Sequence, residues 1–182
     1  MKGVVFTELL EMVEDRFSLE VLDQVIERAE LPSGGVYTSV GTYPFEELAA
    51  LVRELSAVTG LPANDLLTAF GRHLLQRFAK GFPAFFTQAP TAFDFLERVE
   101  SVIHVEVRKL YPDAQLPQFE WERQDRDHMT MLYRSPRRLS ALAVGLIQGC
   151  ADHYSESIDV STEDVSDGSG EAVRLTLTRR AA

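Results

Sequence analysis

The fold class is decided by residues 118–138, which read QFEWERQDRDHMTMLYRSPRR. Polar and apolar residues alternate over Gln118–Arg123 and again over His128–Arg134, and this period of two is typical of β-strands with one buried face. The polar segment Gln124–Asp127 between the two runs has the composition of a turn, so they predict an antiparallel hairpin. Ser135-Pro136 then ends the alternation and opens an apolar helix. The stretch therefore predicts that the chain contains an antiparallel sheet.

The residues before this hairpin have the spacing of amphipathic helices. Ser18, Pro44 and Pro62 stand where helices begin, and Gly60 stands where one ends. The predicted helices are Val4–Phe17, a second helix after Ser18, Pro44–Gly60, Pro62 to Gly81, and about Thr91 to Tyr111, with a linker over Phe82–Pro90.

After the hairpin, an apolar helix over Leu139–Tyr154 is followed by a second strand pair, Ile158–Val165 and Ala172–Thr178. The helix is apolar on every side, which is typical of a helix buried between a sheet and other helices. The prediction is an α+β fold, with an N-terminal helical subdomain followed by a roughly four-stranded antiparallel sheet with one inserted helix. We expect residues 1–182 to form a single domain, with a first part that ends at about residue 60.

Composition and charge exclude several classes of function. The chain has 182 residues, of which 18 are Lys or Arg and 28 are Asp or Glu, for a net charge of -10. This charge argues against nucleic acid and anionic membranes as partners. The single cysteine, Cys150, excludes an internal disulfide and Cys-rich metal sites. No run approaches the ~20 apolar residues that cross a bilayer. With a single cysteine and no internal disulfide, the expected compartment is the reducing cytoplasm.

One histidine stands in unusual surroundings. His104 lies in the fifth predicted helix and is flanked by Val102, Ile103 and Val105. An imidazole among such neighbours is either hydrogen-bonded within the core or a ligand to something buried, and the pattern alone leaves both open. The acidic residues of the same helix, Glu97, Glu100 and Glu106, are typical of a solvated face.

A second candidate site is the segment Tyr133–Arg138, which holds three arginines within five residues at a strand-to-helix junction. A helix N-terminus disfavours cations, so the cluster makes sense if an anion binds there. The alternative is a solvated basic patch paired with surface carboxylates. The sequence contains neither a Gly-rich phosphate loop nor a G-x-S-x-G elbow, so it offers no recognised catalytic motif.

These features combine into a family resemblance. His104 within Val102–Pro112, the following Leu116-Pro117 and the later Tyr133-x-Ser135-x-Arg137 resemble the heme–nitric oxide/oxygen binding (H-NOX) family, which includes the heme domain of soluble guanylate cyclase. The opening Met1-Lys2-Gly3 and the tripeptide Ala69-Phe70-Gly71 are also similar to that family, and the resemblance covers essentially the whole chain.

The resemblance implies a cofactor and its contacts. His104 would be the axial ligand of a ferrous heme b, which is a common use of neutral imidazole. Tyr133, Ser135 and Arg137 would bind the heme propionates, and Pro117 would press on the porphyrin and distort it. The distal side of the heme would be lined by apolar residues: Val5, Leu74, Phe78, Leu142 and Leu146. In this reading residues 1–60 form the distal helical part and residues 61–182 cradle the heme.

The resemblance also implies a choice of ligand. Oxygen-binding members carry a tyrosine nine residues after the motif tyrosine, and here that position is Leu142. A bound O2 molecule gains from a hydrogen-bond donor, whereas NO and CO bind ferrous heme without one. The expected ligands are therefore NO and CO, with O2 excluded.

As a sensor without catalysis of its own, the chain would signal through release of His104 on NO binding and relaxation of the heme away from Pro117. A chain of this length leaves no room for an output domain, so the resemblance implies a separate partner, either a histidine kinase or a diguanylate cyclase/phosphodiesterase. Two alternatives stay open. A peroxidase-like heme enzyme would need distal acid–base groups, for which His73 is the candidate, and a binding module would hold a different apolar carboxylate.

Overall fold

The computed structural model describes residues 1–180, and its elements follow the predicted order closely. No helix within these residues is both long enough and apolar enough to span a bilayer. The helices are α1 (Gly3–Arg16), α2 (Leu19–Ala29), α3 (Phe45–Thr59), α4 (Ala63–Gly81), α5 (Pro83–Thr87), α6 (Ala92–Leu96), α7 (His104–Leu110) and α8 (Ser140–His153), and the strands are β1 (Gln118–Arg123), β2 (His128–Arg134), β3 (Ile158–Asp164) and β4 (Ala172–Arg179).

The helix boundaries have local chemical causes. The Ser18 hydroxyl accepts a hydrogen bond from the Val21 N–H at the start of α2, as an N-cap residue does. Pro44 and Pro62 precede α3 and α4, where a missing N–H costs nothing. Gly60 ends α3 in the left-handed conformation, with φ of 73°.

The structure corrects two predicted elements. The single helix expected over Thr91–Tyr111 is divided into α6, a short turn, a π-helical turn over Val99–Ile103, and α7. In the π-helical turn the N–H of Ile103 bonds to the Arg98 carbonyl, five residues back, and apolar periodicity cannot reveal one wider turn. The linker predicted over Phe82–Pro90 contains α5, which is too short to show a helical period.

The four strands form one antiparallel sheet, as the sequence predicted, and their order is β1-β2-β4-β3. Phe119 of β1 pairs with Tyr133 of β2, and Met131 of β2 pairs with Leu175 of β4. Met131, Tyr133 and Leu175 are buried, so this face of the sheet packs on the core. The opposite face carries polar residues, which is usual for an antiparallel sheet with one solvated side.

Two hydrophobic clusters make up the core. One contains residues of α1, α2, α3 and α4 together with Leu142 of α8, and the other joins the sheet to α6 and α8. Phe78 of α4 and Leu146 of α8 pack against both clusters. Helices α4 and α8 approach each other so closely that a Cβ built on Gly145 would lie 2.1 Å from the carbonyl oxygen of Thr68. The close α4–α8 pair therefore joins the two clusters.

Candidate functional site

A cavity of about 380 Å³ lies where the two hydrophobic clusters meet. Its walls come from α1, α4, the segment α5 to β1, β2 and α8, so residues far apart in the sequence share it. All the site residues predicted from the sequence line this one cavity, namely Val5, Leu74, Phe78, His104, Pro117, Tyr133, Ser135, Arg137, Leu142 and Leu146. The fold thus brings the predicted set together, and the role of each residue stays a prediction.

His104 lines the cavity, and one of its ring nitrogens is held by a carboxylate. It is 8% exposed, and its Nδ1 lies 3.0 Å from Glu100 Oε1. A carboxylate only accepts hydrogen bonds, so Nδ1 carries the proton and Nε2 keeps a lone pair for a ligand. Burial lowers the pKa of His104, and the raising effect of Glu100 only partly opposes it, so the ring is neutral at pH 7. A neutral imidazole held in one tautomer is a suitable metal ligand.

Glu100 is a residue whose role the sequence did not reveal. Its carboxylate was expected on a solvated face, but it is 27% exposed and bonds to His104. Glu97 departs from the same expectation, because its side chain is 25% exposed and pairs with Arg123 at 3.1 Å. The spacing of four residues between Glu100 and His104 was the available signal, since such pairs share one helix face.

The arginine cluster divides into one residue that faces the cavity and two that do not. Arg137 lines the cavity, and its guanidinium donates to the carbonyl oxygen of Gln115 at 2.9 Å and to Gln115 Oε1 at 3.1 Å. Arg138 pairs with Glu171 at 3.1 Å, and Arg134 pairs with Glu120 at 3.5 Å, both on the surface. The reading as a basic patch paired with carboxylates therefore fits two of the three arginines, and the anion-binding reading fits Arg137.

The two other motif residues stand beside Arg137 at the cavity. Tyr133 is buried, and its hydroxyl accepts a hydrogen bond from the N–H of Leu139 at 2.9 Å. Burial raises the pKa of this phenol, which therefore stays a neutral donor. The Ser135 hydroxyl oxygen accepts from the Arg137 N–H at 3.2 Å, which holds the serine side chain beside the arginine. The three side chains together offer hydroxyl and guanidinium donors to an anion.

A further cation at the cavity was not singled out from the sequence. Lys2 lines the cavity, and its ammonium group lies 2.7 Å from Asp113 Oδ1. The α-amino group of Met1 donates to the carbonyl oxygen of Tyr43 at 2.6 Å, and burial lowers its pKa. These contacts hold the start of the chain at the same side of the molecule as Arg137, whose charge also lowers the pKa of that amine.

The distal wall predicted from the sequence is apolar. Val5, Leu74, Phe78, Leu142 and Leu146 carry no hydrogen-bond donor on their side chains. His73 is directed elsewhere, since its Nε2 lies 3.2 Å from Glu8 Oε2 and it does not line the cavity. Within residues 1–180, His104 is therefore the only histidine at the cavity, and the acid–base candidate of the peroxidase-like alternative is not in place.

The residues present fit a heme. Phe82 and Leu110 line the cavity and are 48% and 64% exposed, so large apolar surfaces border open space there. A flat apolar ring would cover such surfaces, which gains roughly 25 cal/mol for each Å² removed from water. A ring nitrogen on one wall and donors for carboxylates elsewhere match the iron and the propionates of that ring.

Comparison with known proteins identifies the family. The model of the Haem-NO-binding family matches residues 2–162, so this chain belongs to that family. This confirms the resemblance read from the sequence, and the structural similarities confirm the α+β fold.

The chain is similar to the Fe(II) unliganded H-NOX protein from K. algicida, with 37% identity, 100% of this chain and 98% of that chain covered, and a TM-score of 0.95. It is also similar to the H-NOX from Shewanella woodyi, solved with IWP-051 bound in the Fe(II)CO ligation state, with 39% identity, 99% of this chain and 95% of that chain covered, and a TM-score of 0.83. A curated relative, soluble guanylate cyclase 89Db of Drosophila melanogaster, is 23% identical over 184 residues, and the match covers 97% of this chain and 27% of that protein.

Proposed function

We propose that this chain is a heme-based sensor that binds nitric oxide and carbon monoxide, excludes O2, and signals to a separate protein. The observation that carries the proposal is that one cavity is lined by His104, by Tyr133, Ser135 and Arg137, and by the apolar residues of the distal wall. Membership in the Haem-NO-binding family supports heme as the cofactor and a gas as the signal.

Each group of residues has its own task in holding the heme. His104 would ligate the iron, and Arg137, with Tyr133 and Ser135, would hold the propionates. Pro117 lines the cavity and would press on the ring. When bound, the ferrous heme supplies an iron atom with an open position for a diatomic gas.

The distal wall sets the choice of gas. O2 is held well only where a hydrogen-bond donor meets its outer atom, and the side chains of this wall offer none. A net hydrogen bond contributes about 0.5–1.5 kcal/mol, and about 1.5–3 kcal/mol toward a charged group. Since each 1.4 kcal/mol is a factor of ten in affinity, one missing donor lowers O2 affinity substantially. NO and CO depend on such a donor much less.

Signalling would begin at His104. On NO binding His104 would be released, which would free α7 and the π-helical turn before it. Pro117 would then press less on the ring, and the helical part could shift relative to the sheet. A shift of this kind carries a signal only if a partner binds the two states with different affinity. The resemblance suggests a histidine kinase or a diguanylate cyclase/phosphodiesterase as that partner.

The test replaces the ligand and restores it from solution. His104→Gly should lose heme, and imidazole in the buffer should restore it, because free imidazole occupies the vacated position. His73→Gly is the matched control, since His73 is also a helical histidine bonded to a carboxylate but lies outside the cavity. Full heme content and an unchanged absorption spectrum in His104→Gly without imidazole would refute the proposal.

A further inference from the structure

One carboxylate oxygen joins the histidine to the sheet. Glu100 Oε1 accepts a hydrogen bond from His104 Nδ1 at 3.0 Å and another from the backbone N–H of Phe119 at 2.8 Å. Glu100 does not line the cavity, so it lies behind the imidazole rather than beside the bound group. It also belongs to the π-helical turn that directly precedes His104.

The N–H of Phe119 is a particular donor. Within residues 1–180, β1 is an edge strand that pairs only with β2, so half of its backbone groups face away from the sheet. Glu100 satisfies one of these edge groups at the second residue of the strand. The ring of Phe119 then lies 6.1 Å from the His104 ring and 5.7 Å from the Tyr133 ring, measured between centroids. Phe119 thus stands between the histidine and the tyrosine of the anion-binding motif.

We propose that Glu100 is a positioning residue that fixes the orientation and the donor strength of His104 and couples that histidine to strand β1. The inference rests on the proposed function, in which His104 is the iron ligand. A charged acceptor on Nδ1–H makes the opposite ring nitrogen a stronger electron donor. The bond to Phe119 keeps the carboxylate in place, so the orientation of the imidazole is fixed by the sheet as well as by its own helix.

Two substitutions separate the two bonds. Glu100→Gln keeps an oxygen that accepts from Phe119 but removes the charge that acts on His104. Glu100→Ala removes the one oxygen that accepts both bonds. Glu122→Gln is the matched control, because Glu122 is an exposed acid of β1, the strand that contains Phe119, and its loss changes the net charge equally.

The variants are compared as ferrous, heme-loaded proteins with two measurements. Resonance Raman spectroscopy gives the iron–histidine stretching frequency, which should fall in both Glu100 variants and stay unchanged in Glu122→Gln. Amide hydrogen exchange should be faster at Phe119 by about tenfold or more in Glu100→Ala, since a charge-assisted hydrogen bond is lost. In Glu100→Gln the exchange at Phe119 should stay within a few-fold of the wild type.

An unchanged iron–histidine frequency in Glu100→Gln would overturn the inference, as would an equal fall in Glu122→Gln. Unchanged exchange at Phe119 in Glu100→Ala would overturn the coupling to the sheet. If Glu100→Ala does not fold, Glu100→Gln still decides through the frequency, because it preserves the shape of the side chain. Failure of the proposed function is distinguishable, since it would appear as heme retention in His104→Gly, whatever Glu100 does.

Discussion

Replacement of Arg137 by alanine tests whether the heme is held by one placed arginine or by diffuse positive charge. Arg137 lines the cavity, and Gln115 fixes its guanidinium through two hydrogen bonds of 2.9 and 3.1 Å. The guanidinium has five N–H donors, so others are left for a carboxylate. The Phe45 ring, 5.8 Å from the guanidinium carbon, packs on the same group. The side chain is therefore held in place before any anion arrives.

The size of the effect follows from the chemistry of the bond. A hydrogen bond to a charged group contributes about 1.5–3 kcal/mol, which corresponds to about 10-fold to 150-fold in the dissociation rate if the bond is lost before the heme leaves. Arg138→Ala is the matched control, because Arg138 is 57% exposed and pairs with Glu171 on the surface. Such exposed ion pairs contribute about 0–1 kcal/mol to the stability of the fold. The pair lies away from the cavity, so its loss should not change how tightly heme is bound.

The assay is transfer of heme to an excess of apomyoglobin, followed by absorbance. Arg137→Ala should release heme at least tenfold faster than the wild type, whereas Arg138→Ala should match the wild type within about twofold, since it removes only a surface pair. Equal acceleration in the two variants would refute the reasoning, because the cluster would then act only through its total charge.

Two further predictions concern stability. Gly145→Ala should lower the melting temperature by several degrees, because the new Cβ meets the carbonyl of Thr68 on α4. Overpacking costs about 1–3 kcal/mol, and each kcal/mol lowers the melting temperature by about 2–4 °C in a domain of this size. Gly81→Ala, where a Cβ meets nothing, should leave the melting temperature nearly unchanged, and equal melting temperatures in the two variants would contradict the close α4–α8 contact. Burial, with a further contribution from Glu47, raises the pKa of Tyr37 to about 12. The stability gained from the bound phenol proton is therefore complete below about pH 10, the pKa of tyrosine in the unfolded chain, and is lost as the pH rises through the pKa of the folded state. Urea titrations should therefore show that Tyr37→Phe loses less free energy of unfolding at alkaline pH than the wild type does. An identical loss in the two proteins would refute this prediction.

The helices and strands were predictable because their signals are local. Alternation over Gln118–Arg134 and capping residues such as Ser18 act within one element, and the fold only had to bring these elements together. The π-helical turn escaped prediction because one wider turn shifts the apolar spacing by only one residue, which is too small a change to stand out in a helical pattern. The helix predicted over Thr91–Tyr111 therefore begins and ends close to where the observed helical segments begin and end, but it lacks their internal turns.

The details of the site needed three-dimensional information. Sequence spacing does not tell Arg137 from Arg138, but Arg138 has φ of 55°, and this left-handed backbone belongs to a side chain that pairs with Glu171 on the surface. The position of Glu100 four residues before His104 was visible, yet its second partner, Phe119, lies 19 residues further along the chain. Only the folded chain shows that one oxygen serves both donors.

The absorption spectrum of the reduced protein in air, and then with NO, distinguishes a sensor that excludes O2 from the alternatives. We predict a five-coordinate ferrous heme that air leaves unligated on the timescale of the spectrum, because the apolar distal wall gives O2 no donor. Added NO should produce the spectrum of a five-coordinate nitrosyl, which shows that His104 has been displaced. A stable O2 complex on aeration would contradict the account, and so would a purified protein that stays colourless after expression with ample heme.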